Sequence, residues 1–141
     1  MSDTERNTET ARAAYAAWGN SKGTSIDHWL SIMDDDIRST SLADEHDGFD
    51  LAQARVGKAE VRAYLQALSD NLDFIDFRTE NIIAQGDWVV VLSTVAFRGR
   101  ATGKVYRGPK ADILRFRDGK LVEVREFYDT AAARDLVTMD D

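Results

Sequence analysis

The chain changes its hydrophobic period about halfway along. In the first half, apolar residues recur every three or four positions. TERNTETARAAYAAWGN carries Ala11, Ala14, Tyr15 and Trp18 in such a stripe, the mark of an amphipathic helix. Gly19-Asn20 supplies its stop signal. TSIDHWLSIM repeats the pattern with Ile26, Trp29, Leu30 and Met33, behind Thr24 or Ser25 as N-cap. KAEVRAYLQALSDNL does so a third time with Val61, Tyr64, Leu65 and Leu68. Between the second and third helices, DIRSTSL reads as a short extended piece and residues 43–55 as a long polar loop.

In the second half the period drops towards two. DFIDFRTENIIA, DWVVVLSTVAFRG, KVYRGPKADILRFR and KLVEVREFYD are rich in Val, Ile, Phe and Tyr. The breaks between them, QGD, GRATG and RDG, are turn chemistry. Four strands on short loops predict an antiparallel meander. Pro109 falls inside the third strand; with no N–H for the ladder it needs an edge position or a bulge, and Gly108 beside it favours the bulge. The tail TAAARDLVTMDD predicts one helical turn, with Asp129 capping it at Thr130. Helices first and strands second is an α+β layout. The expected fold is a curved antiparallel sheet of four to six strands wrapped around three N-terminal helices.

The candidate chemistry lies in the last two strands, ADILRFRDGKLVEVREFYD. Its even positions are Asp112, Leu114, Phe116, Val122, Val124, Glu126 and Tyr128, so an apolar face carries two carboxyl groups. The odd positions hold Arg115, Arg117, Glu123, Arg125 and Asp129 and form the wetter face. A three-residue turn with a Gly bulge at Arg117–Lys120 pairs Asp112 with Glu126, Leu114 with Val124 and Phe116 with Val122. The acids then stand ~5 Å apart at Cβ. A two-residue turn would slip the register by one and pair Asp112 with Arg125. Carboxyl groups in apolar surroundings, beside one another, are pushed towards the neutral form. Such groups exchange protons during a reaction or donate to a developing oxyanion. The structural alternative is that the acids meet a nearby Arg or Lys, or sit at the sheet rim.

Composition narrows the partners. The 141 residues make a single domain, 1–141, with its core at about 9–133. A net charge of −7 argues against nucleic acid, which needs a basic face. No apolar run approaches the ~20 residues of a membrane span. The polar start MSDTERNTET is not a signal peptide. With no cysteine to form disulfides or thiolate metal sites, the expected location is cytoplasmic.

Taken in order, AAYAAWGN, a helix ending in DDDI, VGKAEVRAYL and the ADILRFRDGKLVEVREFYD hairpin resemble the nuclear transport factor 2-like superfamily. The chain looks like its SnoaL-like and ketosteroid isomerase-like branch. The resemblance implies a cone with an internal apolar pocket, a homodimer packed through the outer sheet face, and an apolar small-molecule partner. It also places residues. Asp112 in DILRF stands where the ketosteroid isomerases carry an aspartic acid that donates to a dienolate oxygen. Tyr15 resembles their second donor. Their catalytic base falls near Ser41 and Leu42 here and is missing. Asp112 and Glu126 have the fourteen-residue spacing of the histidine and aspartate of SnoaL-like cyclases. The epoxide hydrolase branch also has an acid at Glu126, but its other Arg and Asp fall near Val95 and Phe97.

The expected activity is cofactor-free and metal-free proton transfer beside a carbonyl: isomerisation, cyclisation or dehydration of a polyketide-like or steroid-like ring. Glu126 would be the base. Protonated Asp112 and Tyr15 would steady the enolate oxygen. Trp18, Tyr64, Leu114, Phe116, Tyr128 and His46 would line the pocket. The alternative is a non-catalytic binding or dimerisation domain of the same fold. His28 reads as surface. DEHDGFD lacks the EF-hand spacing. GRATGK is one residue short of a phosphate loop and joins two strands, so it reads as a hairpin turn.

Overall fold

The computed structural model describes residues 1–42, 51 and 53–140. Ten elements follow one another: α1 (Asp3–Asn20), α2 (Ile26–Ile32), β1 (Met33–Ser41), β2 (Arg55–Val56), α3 (Lys58–Asn71), β3 (Leu72–Gln85), β4 (Trp88–Gly99), β5 (Val105–Arg117), β6 (Lys120–Phe127) and α4 (Thr130–Val137). The sheet order is β2-β1-β6-β5-β4-β3. The predicted meander β3–β6 is antiparallel throughout. β1, however, joins β6 in parallel. The long stretch of chain between them gives ample length for the crossover that a parallel pair needs.

The helical stripes face the sheet as their spacing predicts. Ala11, Ala14, Tyr15 and Trp18 of α1 are buried, as are Ile26, Trp29 and Leu30 of α2 and Val61, Tyr64 and Leu65 of α3. α1 begins with a capping box between Ser2 and Glu5, which satisfies otherwise orphaned N–H groups. A β-carbon on Gly19 would crowd the Phe77 carbonyl, so that glycine lets α1 end tightly against β3. The run Asp34–Asp36 belongs to β1 rather than to the end of α2. α4 has two turns rather than one, and the Asp129 carboxylate accepts from the Ala132 N–H at 3.0 Å, as its capping role requires.

The β5–β6 hairpin differs from expectation in an informative way. Its turn has two residues, with Asp118 and Gly119 both at positive φ (51° and 78°), as in the mirror-image turns that match strand twist. Arg117 pairs with Lys120 and Phe116 with Leu121. The register then shifts, so that Arg115 pairs with Glu123, Leu114 with Val124 and Asp112 with Glu126. Val122 is the extra residue of a β-bulge. The turn slips the register and the bulge restores it. Leu121, an odd position, therefore joins the core beneath Phe116, whereas Val122 is buried outside that core cluster. Leu121→Ala is expected to lower stability by about 2–5 kcal/mol, and Val122→Ala by clearly less. Urea midpoints in the opposite order would contradict the bulge.

Pro109 takes the edge option, not the bulge. β5 pairs with β4 in unbroken register past Thr94–Pro109, while pairing with β6 begins only at Ala111. Among the described residues, no second strand is there to miss its N–H.

Candidate functional site

Alternation along β5 carries Lys110 onto the same face as Asp112, and the restored register sets Glu126 across from Asp112. Lys110 Nζ lies 2.8 and 2.9 Å from the two Asp112 oxygens and 3.1 Å from Glu126 Oε2. Two tyrosines close the ends of this triad. Tyr15 of α1 donates to Asp112 Oδ2 at 2.6 Å, and Tyr64 of α3 donates to Glu126 Oε1 at 2.8 Å. Asp112 is 3% and Glu126 9% exposed, so the charges are withdrawn from water. Buried charges persist only when paired and hydrogen-bonded, and this chain of five side chains meets that condition.

The acids thus meet a lysine, as the structural alternative drawn from the sequence has it. Asp112 accepts at both oxygens, from Lys110 and from Tyr15. The Tyr15 hydroxyl, expected to face a ligand, is bonded to Asp112 instead.

Burial alone would lower the Lys110 pKa, but the attraction of Asp112 and Glu126 outweighs it and holds the ammonium above its ordinary range. Burial raises the Tyr15 and Tyr64 phenols well above theirs, helped by the charge of Asp112 on the first and Glu126 on the second. In all three cases the folded chain binds the proton more tightly than the unfolded chain. The stability they contribute is complete below about pH 10 and is lost as pH rises beyond it. Alkaline unfolding is therefore expected to begin above about pH 10, with Tyr15 and Tyr64 ionising only as the chain unfolds. Phenolate absorbance lost in Tyr15→Phe or Tyr64→Phe, yet present in wild type that is still folded by circular dichroism, would contradict this.

Two cavities meet at the triad. One, about 80 Å³, is lined mainly by Trp18, Leu68, Phe74, Phe77, Phe97 and Leu136, with Tyr64, Lys110, Glu126 and Tyr128 supplying its polar groups. That volume holds several waters or part of a small ring. The other lies between the helices and the sheet and touches Tyr15, Lys110, Asp112 and Glu126. Glu126 and Lys110 border both; of the two, Asp112 borders only the second. α4 roofs the apolar cavity through Ala133, Leu136 and Val137. It is fastened by Thr102 Oγ1 to the Leu136 carbonyl at 2.6 Å and by Lys104 to Asp135 and Asp140.

Of the expected pocket residues, Trp18, Tyr64 and Tyr128 line the apolar cavity. Leu114 and Phe116 do not; both are fully buried core residues lining neither cavity. His46 lies outside the described residues, as does nearly all of DEHDGFD. Lys110 and the α4 roof were missed. Lys110 had a legible signal, since it continues the even-numbered face of Asp112 by one step. Among the described residues, no three His, Asp or Glu side chains are placed to hold a metal ion. Nor is any helix among them long and apolar enough to cross a membrane.

A curved sheet closed by helices over an apolar cavity, with a polar cluster on its wall, is the cone of the nuclear transport factor 2-like proteins. The SnoaL-like domain model matches residues 11–124, and the chain belongs to that family. No curated protein matches it. Solved structures do. A nuclear transport factor 2-like protein of unknown function from Burkholderia pseudomallei superposes with a TM-score of 0.82 at 23% identity, covering 98% of this chain and 99% of that one. A candidate polyketide cyclase from Xanthomonas campestris gives 0.80 at 20% identity, over 97% and 100%. TerC, co-crystallised with polyporic acid, gives 0.78 at 24% identity, over 93% and 97%. At these identities the likeness speaks for the fold alone.

Proposed function

We propose that the chain is a small enzyme that moves a proton beside the carbonyl of an apolar ring compound, with Glu126 as the base. The observation that carries this reading is the position of Glu126. It is the one acid of the triad that borders the apolar cavity, with Lys110 and Tyr64 fixing its two oxygens. Each carboxylate oxygen has two lone pairs, so a lone pair remains for a substrate proton after Tyr64 and Lys110 are counted. Glu126 takes a proton from the carbon beside the carbonyl, and the C–H electron pair passes into an enolate. Returning that proton to another carbon isomerises the compound; giving it instead to a β-hydroxyl lets the C–O bond break with loss of water and dehydrates it. Lys110 lies close enough to favour the negative charge of the enolate electrostatically. Asp112 and Tyr15 stand behind Lys110 and position it. The cavity lining and the candidate cyclase among the structural neighbours support an aromatic or polyketide-like substrate.

The test is deuterium exchange at the α-carbon of cyclic ketones and hydroxyquinones in D₂O, followed by NMR with and without the protein. Exchange above background at saturable ligand concentration is expected. Ligands that bind without any exchange would overturn the enzyme reading and leave a binding domain.

A further inference from the structure

The triad leaves a gap that its own hydrogen bonds define. An enolate oxygen is best met by a donor aimed at it, yet most donors around the apolar cavity are already committed. The three ammonium protons of Lys110 face three acceptors, both Asp112 oxygens and Glu126 Oε2. The single Tyr64 proton goes to Glu126. The Tyr106 hydroxyl points back to the Pro109 carbonyl, at 3.5 Å. Tyr128 is different. Its hydroxyl meets another hydroxyl, Ser41 Oγ, at 2.6 Å, and either can be the donor. Two hydroxyls bring two protons, and one bond between them uses one. When Ser41 donates to Tyr128, the phenol proton is free.

The fold places Tyr128 at the site. Tyr128 lies just past the end of β6 at Phe127, and it lines the apolar cavity together with Glu126 and Lys110. Ser41 ends β1 directly across from Glu126 in the parallel register, and the next residue, Leu42, donates its N–H to the Glu126 carbonyl at 2.9 Å. β1 thus holds both the base strand and the hydroxyl behind Tyr128. The half-buried Tyr128 phenol is held above its ordinary pKa, chiefly by burial and next by the charge of Glu126, so at neutral pH it keeps its proton to give. We infer that Tyr128 is the oxyanion donor of this site, with Ser41 the residue that positions it, and that the ligand presents an enolate or phenolate-type oxygen to the Tyr128 hydroxyl while Glu126 faces the adjacent carbon.

This inference rests on the proton-transfer reading, and two separate measurements keep the failures apart. The first uses 2-naphthol, a bicyclic phenol that imitates the enolate oxygen and cannot react; its binding is followed by fluorescence. Tyr128→Phe is expected to bind it about tenfold more weakly, and Ser41→Ala a few-fold more weakly, with thermal midpoints close to wild type. The second is α-proton exchange, in which Tyr128→Phe is expected to lower kcat about 10²–10³-fold with little change in KM. Wild type that exchanges protons, with Tyr128→Phe matching it in both assays, would overturn the role of Tyr128 and leave Glu126 as base. Wild type that exchanges nothing would remove the base, and the naphthol comparison would still decide the donor. Equal binding by wild type and Tyr128→Phe, or no binding by wild type, overturns the inference.

Discussion

Lys110→Met is expected to destabilise the chain by about 3–5 kcal/mol, the usual consequence of removing one partner from a buried charge set. The loss comes less from the missing attraction than from what is left behind. Asp112 and Glu126 would face each other across neighbouring strands without the charge that Lys110 supplies, keeping the Tyr15 and Tyr64 bonds. Lys110 itself is mostly withdrawn from solvent, with 14% of its side chain exposed, so screening offers little relief. Adding Asp112→Asn and Glu126→Gln to Lys110→Met removes the stranded charges and is expected to recover a large part of the loss, since neutral replacements of whole ion sets are often well tolerated. Urea midpoints of the single and triple variants measure both effects. A single variant within about 1 kcal/mol of wild type would mean that Lys110 does not hold the acids.

Glu126→Gln is expected to reduce α-proton exchange by about 10²–10⁴-fold, the range for loss of a positioned acid–base group. The amide keeps the shape and can still accept from Tyr64, but it cannot take a proton. The variant is also expected to be less stable than wild type, because Lys110 loses one of its two charged partners. Occupancy must therefore be matched: exchange is compared at saturating ligand and at a temperature where both proteins are folded. Asp112→Asn provides the contrast. Asp112 does not border the apolar cavity, so its loss is expected to lower stability and to alter kcat less than the loss of Glu126. Equal exchange by wild type and Glu126→Gln would remove Glu126 from the chemistry, whatever the stability change.

Much of the architecture was legible because it follows local periodicity. The helical stripes at Ala11–Trp18 and Val61–Leu68, the four strands of the meander and the Asp129 cap depend on near neighbours in the chain. The Asp112–Glu126 pairing was also legible, but through a different turn. The three-residue loop and the observed two-residue loop plus bulge give the same pairing beyond Arg115. They differ at Phe116, Arg117, Lys120, Leu121 and Val122, where face alternation breaks locally. Pro109 fitted either of two devices, and the choice depended on where β6 stops, which is a tertiary fact.

The site itself was read in part. Carboxyl groups on an apolar face announced that something must compensate them, and period-two spacing had already put Lys110 beside them. Its place behind Pro109, outside the regular hairpin, hid it. The tyrosine partners come from α1 and α3, 97 and 62 residues away from their acids. Tyr15 was found through family resemblance and Tyr64 only as a pocket residue, since nothing local tells which acid a helix will reach. The roof formed by α4 depended on how the tail folds back over β4, where a β-carbon at Gly99 would collide with the Leu136 carbonyl.

The most direct measurement is side-chain NMR of the chain labelled with ¹⁵N-lysine, with Lys110 assigned from Lys110→Met and a cyclic ketone titrated in. An ammonium clamped between two acids on the cavity wall predicts one Nζ signal protected from solvent exchange, unchanged from neutral pH to about pH 10 and moving as the ketone fills the cavity. A Lys110 signal that exchanges with water like the surface lysines, titrates with them and ignores the ketone would contradict it.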